Sequence, residues 1–172
     1  MGKGFFILDL KAVTLLLMKG GQKMKSVNYI EDFESWKKSF AFFIPIQIRF
    51  SETDMFGHVN NVSPFIYFEE ARIAFLKEVG LFRDDMQNTD TIPIVADLQC
   101  DYHRQMYFND QMKLYVKVNQ IGNTSIDIHY LGVNQKEELC ITGRGRLVQI
   151  NVHTGKPAPF SEEEKKRLAS GP

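Results

Sequence analysis

The sequence predicts an α+β fold in which one curved antiparallel β-sheet wraps around a single long α-helix. Three observations lead there. Residues 63–79 carry apolar side chains at Phe65, Ile66, Phe68, Ala71, Ile73, Ala74, Phe75, Leu76 and Val79. That set is wider than one stripe, so the helix is expected to be enclosed on more than one side. One run with strand character precedes this helix and four long ones follow it. With only one crossover helix, a doubly wound sheet is excluded, because each parallel connection needs its own.

The elements follow in order. Residues 28–43 open with a short helix, in which Phe33, Trp36 and Phe40 at i, i+3 and i+7 form one apolar stripe. Residues 44–50 alternate strictly, which marks a strand with one buried face. Pro45 near its start suits an edge position. Ser63 is placed as the N-cap of the long helix and Pro64 as its first residue. Val79 ends it and Gly80 is positioned to stop it. Residues 91–105 form the next strand. Met112, Leu114, Val116 and Val118 alternate with polar residues in another, and Ile126, Ile128 and Tyr130 in a third. Residues 139–152 make the last. Turn-forming residues at 107–110, 121–123 and 134–138 join them. Residues 151–159 form a loop, and Ser161 caps a short polar helix over 162–169.

At 172 residues the chain suits one domain, and 44% hydrophobic with 24% charged residues is a globular profile. The formal net charge is zero, where a nucleic-acid binder shows a basic excess. Two cysteines, Cys100 and Cys140, argue against a disulfide scaffold and fit a reducing cytoplasm. His58, His103, His129 and His153 do not fall at metal-ligand spacings, so no metal is expected. Residues 1–25 hold five Lys and one Asp. Their uninterrupted apolar run, residues 12–18, is far short of the roughly 20 residues that span a bilayer. No small-residue cleavage site follows it, which disfavours a secretory leader. Residues 1–26 are therefore read as an extension: an over-called start, with Met24 the natural one, or an amphipathic element that docks on the body. Residues 27–172 are read as a single domain.

One stretch, RFSETDMFGHVNN at residues 49–61, stands out. It places Asp54, His58, Asn60 and Asn61 within eight residues, between a strand and a helix. It is either an ordinary turn, with Asp54 closing an Asx-turn, or a site.

The element order, with Asp54-Met55-Phe56-Gly57-His58-Val59-Asn60-Asn61 at that junction, resembles the hotdog-fold thioesterases. Within them it is most similar to the 4-hydroxybenzoyl-CoA thioesterase-like and acyl-ACP thioesterase branch. The resemblance covers residues 44–160. It includes Phe68-Glu69-Glu70-Ala71-Arg72 on the helix and Asp101-Tyr102-His103-Arg104, with Asp110 before the next strand. Gln105 stands where the family usually has Pro, and Asn109 where it usually has Gly. The resemblance implies the hotdog fold and hydrolysis of an acyl thioester by a carboxylate at Asp54. It implies an oxyanion-binding N–H at or next to Asn61, and a homodimer with the site at the subunit interface. The plant acyl-ACP branch has Asn two residues after the Asp, and an acid or Cys on the next strand. Phe56 and Gln105 occupy those places here, which favours the simpler acyl-CoA type.

A thiolate leaves readily, so a thioester needs only a nucleophile and a place for the oxyanion. Asp54 is suited to act as general base on water or as the nucleophile itself. Amides of residues 60–65, at the positive end of the helix, are candidate oxyanion donors. His58 is read as orienting water, donating to the carbonyl or tuning Asp54, or else as bracing the loop. Asn60 bonds Asp54 or substrate, or braces the same loop. Glu69 is a backup acid. Arg144 and Arg146 share one face of a strand and are candidates for the phosphates of CoA, although solvated or interface arginines are commoner. Gly143 and Gly145 let a ligand or another backbone come close. Phe65, Tyr67, Phe68 and Phe75 either line an acyl tunnel or pack the core.

The expected function is acyl-thioester hydrolysis in the cytoplasm, within fatty acid metabolism, by a homodimer or homotetramer. The substrate is an acyl-CoA or acyl-ACP. There is no resident cofactor, CoA being part of the substrate, and no nucleic-acid or membrane partner. The alternative is a non-catalytic acyl-CoA sensor or scaffold with the same fold.

Overall fold

Helix α1 (Phe33–Lys38) leads into strand β1 (Phe42–Gln47), and a single 3-10 turn (Phe50–Glu52) precedes helix α2 (Ser63–Glu78). Strands β2 (Thr91–Tyr102), β3 (Gln111–Ile121), β4 (Ser125–Asn134) and β5 (Leu139–Asn151) follow, then helix α3 (Glu162–Ser170). This computed structural model describes residues 27–82 and 89–172. The extension expected at residues 1–26 lies outside the described residues.

The five strands form one open sheet in the order β1-β3-β4-β5-β2, every pair antiparallel. β1 and β2 flank α2 in sequence but sit at opposite edges of the sheet. The connection between them must therefore cross a whole face, and α2 is the segment that crosses it. Pro45 lies on an edge strand, as its missing N–H requires.

Strand alternation assigns the faces. Ile44 and Ile46 of β1, Met112, Leu114 and Val116 of β3, and Ile126, Ile128 and Tyr130 of β4 pack toward α2. They meet Tyr67, Phe68, Ala71, Phe75 and Leu76, all buried. Burying each large apolar side chain contributes about 1.5–3 kcal/mol. Arg72 is carried in on the same face, where its Nη1 donates to the Tyr130 hydroxyl at 3.4 Å.

Three expectations need correction. β1 ends at Gln47, so Phe50 does not extend the strand but opens the 3-10 turn and is 75% exposed. The inward phase is nevertheless right, since Ile46 and Ile48 are both buried. Ser63 is not the N-cap: it is the first helical residue, after Val62, and its hydroxyl donates to the Glu52 carbonyl at 3.0 Å. Finally, the sheet encloses α2 on one broad face only. Ile66, on the other side, is 53% exposed.

The opposite face of the sheet is covered by the segment around α1. Trp36 packs on Leu131 and Val133, with Tyr29 and Phe33 beside it. The Tyr29 hydroxyl donates to Asp101 at 3.0 Å and accepts from the Thr142 hydroxyl at 3.1 Å, and burial raises its pKa. Beneath Trp36 lies His129, which is 1% exposed. Trp36 Nε1 donates to His129 Nδ1 at 2.8 Å, and an indole N–H can only donate. His129 is thereby held as the neutral tautomer with its proton on Nε2. That nitrogen has no hydrogen-bond partner among the described residues, the Asp127 carboxylate being 3.7 Å away.

Candidate active site

Thr53 and Val59 form an isolated antiparallel bridge, so residues 53–59 close on themselves as a tight hairpin. Asp54 N donates to the His58 carbonyl at 2.8 Å, and Gly57 N to the Asp54 carbonyl at 3.0 Å. Gly57 has φ +78°, a left-handed conformation that a side chain would disfavour, although a Cβ there would meet nothing within 4 Å. Inside the turn, Asp54 Oδ1 accepts from Phe56 N at 2.8 Å and His58 N at 3.3 Å. The Asx-turn expected as the ordinary reading is thus present. It engages one carboxylate oxygen and leaves Oδ2 without a hydrogen bond among the described residues.

The chain then enters α2. Asn60 N donates to the Glu52 carbonyl at 2.8 Å, and Asn60 Oδ1 accepts from Val62 N at 3.1 Å. The Asn60 carbonyl accepts from Ser63 N at 3.0 Å, and the Val62 carbonyl from Phe65 N at 3.1 Å. Asn60 therefore braces the helix entrance. Of the amides at residues 60–65, these bonds occupy four and Pro64 has none to offer. The Asn61 N–H alone donates to no group among the described residues.

Two residues that sequence reasoning gave no role hold this entrance in place. The Tyr102 hydroxyl, from the last residue of β2, donates to the Asn61 carbonyl. Burial, with Cys100 and Asp101 nearby, pushes that phenol up to about 12. Glu52 accepts from Tyr67 Oη and Arg49 N, each at 2.8 Å, while its own carbonyl receives Asn60 and Ser63. The signal for Tyr102 was its helix-facing register at the end of a strand. For Glu52 it was an acid two residues before Asp54.

The remaining candidates are placed as follows. The His58 ring packs edge-on against Tyr107, with centroids 5.1 Å apart, and forms no side-chain hydrogen bond among the described residues. Glu69 is exposed on the helix. Gly143 and Gly145 face α2, so Arg144 and Arg146 point to the other face of β5, away from Asp54. Arg144 is engaged there by Asp127 at 3.2 Å and Asp97 at 3.2 Å, whereas Arg146 is exposed. Around the hairpin, Phe50, Met55, Phe56 and Phe108 leave large apolar surfaces uncovered, Met55 being 90% exposed. A cavity of about 130 Å³ lies at the far end of α2, between Gly80, Gln149 and Arg167, and is not adjacent to Asp54.

This geometry sets a carboxylate and an uncommitted amide at either end of one short loop, at the positive end of a helix. Comparison with known proteins agrees with the fold. The model of the thioesterase-like superfamily matches residues 48–168, and the chain belongs to that family. It is 45% identical over 146 residues to the uncharacterized protein YsmA of Bacillus subtilis (strain 168), covering 84% of this chain and 97% of that one. A thioesterase from Thermus thermophilus, complexed with coenzyme A and Zn, is 27% identical with a TM-score of 0.66, covering 76% of this chain and 93% of that one. A DHNA-CoA thioesterase from Staphylococcus aureus shares the fold at 24% identity and a TM-score of 0.68, covering 74% and 88% of the two chains. Among the described residues no helix is long and apolar enough to cross a membrane.

Proposed function

We propose that this protein hydrolyses acyl thioesters, releasing a free acid and a thiol, with CoA as the favoured carrier and acyl carrier protein as the other. Asp54 acts as general base on water or as nucleophile, through the carboxylate oxygen that the turn leaves open. The Asn61 N–H, reinforced by the helix dipole, receives the developing oxyanion, a contribution of about 3 kcal/mol for one such donor. The observation that carries this reading is the Asn61 amide: it is unengaged at the start of a long helix while its neighbours are all bonded. Asn60 holds that amide in place. His58, whose backbone N–H donates to the Asp54 carboxylate across the turn, orients water.

The apolar side chains around the hairpin and the exposed edge of β2, with Ile94, Val95 and Tyr102, suit a second copy of the chain. A homodimer, or a homotetramer built from it, would complete the pocket. Arg146 is the better candidate for a CoA phosphate, since Arg144 is already paired. The same reading takes the cytoplasm as its location and fatty acid metabolism as its context.

The test is thiol release from a panel of acyl-CoAs, followed with a colorimetric thiol reagent; turnover on at least one of them is the expected result. A second reading is favoured by one observation, the engagement of Asp54 Oδ1 in its own turn. In that reading the protein binds acyl-CoA without cleaving it. Saturable binding with no release on any acyl group would establish it.

A further inference from the structure

The surface beside the Asn61 turn is laid down by β2 and β5. On the side that meets α2, Tyr102 pairs with Ile141, Cys100 with Gly143, and Leu98 with Gly145. Tyr102 holds the Asn61 carbonyl, so this series begins at the proposed oxyanion site and runs inward. Each step is two residues of strand, about 7 Å. At two successive steps β5 contributes no side chain, and the strands alone would leave a trough.

The trough is filled from above. A Cβ at Gly143 would lie 2.5 Å from Phe68 Cζ, and one at Gly145 would lie 2.8 Å from Leu98 Cδ1. The Phe68 ring is fully buried and stacks on Tyr130, with centroids 4.3 Å apart and planes 16° from parallel. Phe65 meets it edge-on at 6.2 Å. Held between Tyr130, Phe65 and the bare backbone of Gly143, the ring has no open side to swing into.

We propose that Phe68 is a specificity-determining residue that ends the acyl site at Gly143, one strand step beyond Tyr102, restricting the enzyme to short acyl thioesters. The inference rests on the thioester hydrolysis proposed above. An acyl group with its carbonyl oxygen on the Asn61 N–H and its chain along this track passes Tyr102 and meets the Phe68 ring at the next strand step, about 7 Å beyond Tyr102. Leu98, folded over Gly145, blocks the next step. Of the aromatic residues read as either lining a tunnel or packing the core, Phe68 is in the core and closes this track.

The experiment is the kcat/KM profile across saturated acyl-CoAs, from acetyl-CoA to palmitoyl-CoA, for the wild type, Phe68→Leu and Phe68→Ala. Phe68→Leu keeps an apolar side chain in the core and guards against a misfolded Phe68→Ala; fluorescence of the single Trp36 checks folding of each. The wild type should favour short chains. Each variant should raise the ratio of long-chain to short-chain kcat/KM by about tenfold or more, the usual worth of a methylene in an apolar pocket. A wild type that prefers palmitoyl-CoA, or a Phe68→Leu profile that superimposes on the wild type, overturns the inference and leaves the hydrolase reading intact. A folded wild type that releases thiol from none of the acyl-CoAs overturns both.

Discussion

Replacing Asp54 by Asn should lower kcat for acyl-CoA hydrolysis by about 100- to 10,000-fold, the range that a positioned acid or base contributes. The choice of Asn separates catalysis from architecture. Asp54 Oδ1 accepts from Phe56 N and His58 N, and an Asn side-chain carbonyl is able to accept from the same two amides. The hairpin survives, but the negative charge needed to activate water or attack the thioester is gone. Asp54→Ala loses both and should also cost about 1 kcal/mol of stability for the missing turn bonds. Measured together, the rates and melting temperatures of the two variants distinguish the roles. If Asp54 serves only the turn, Asp54→Asn will match the wild type in rate.

Lowering the pH from neutral should weaken the fold through His129. Burial holds this imidazole at about 4, against an ordinary value near 6.5. Lys117 and Arg144 push it the same way, and Asp127 opposes them. Tyr29, its ring tilted against the imidazole with centroids 5.1 Å apart, adds no charge in this range. The unfolded chain therefore takes up a proton near pH 6.5 that the folded chain refuses until about pH 4, so stability falls as pH falls through that window. The loss is about 2 kcal/mol by pH 5 and about 3 kcal/mol once His129 is protonated in both states. Protonation also turns Nδ1 into a donor facing the Trp36 N–H, so the covering segment should loosen first. Urea unfolding followed by Trp36 fluorescence at pH 7 and pH 5 measures the effect. His129→Gln, which keeps an acceptor for the indole, should flatten the dependence. Equal stability of the wild type at both pH values would contradict this account.

The sequence was legible where one periodicity governs. Alternation in β1 gave the correct buried face although the strand stops at Gln47, because phase depends on side chains and the end depends on the turn that follows. The α2 pattern gave a helix but overstated its enclosure. An apolar Ile66 is counted the same whether a sheet or nothing described covers it. Capping chemistry misled at Ser63, because a hydroxyl that suits an N-cap is equally able to donate to Glu52. At the site, residue type and order pointed to the hairpin. They did not reveal that Asn60 consumes the neighbouring amides, nor that Tyr102 reaches Asn61 from 41 residues away. The Tyr102 bond depends on strand register, which local sequence does not encode, and the Asn60 bonds on which of its turn-forming options the loop adopts. Gly143 was marked as a close approach, but only the packed structure names Phe68 as what approaches it.

The most direct test is a crystal structure with a non-hydrolysable acyl-CoA analogue in which the thioester sulfur is replaced by methylene. The carbonyl oxygen should lie about 3 Å from the Asn61 N–H, with the open oxygen of Asp54 facing the carbonyl carbon or a water beside it. An analogue bound with its carbonyl remote from Asn61, and Asp54 turned to bulk solvent in the assembled oligomer, would contradict the proposal.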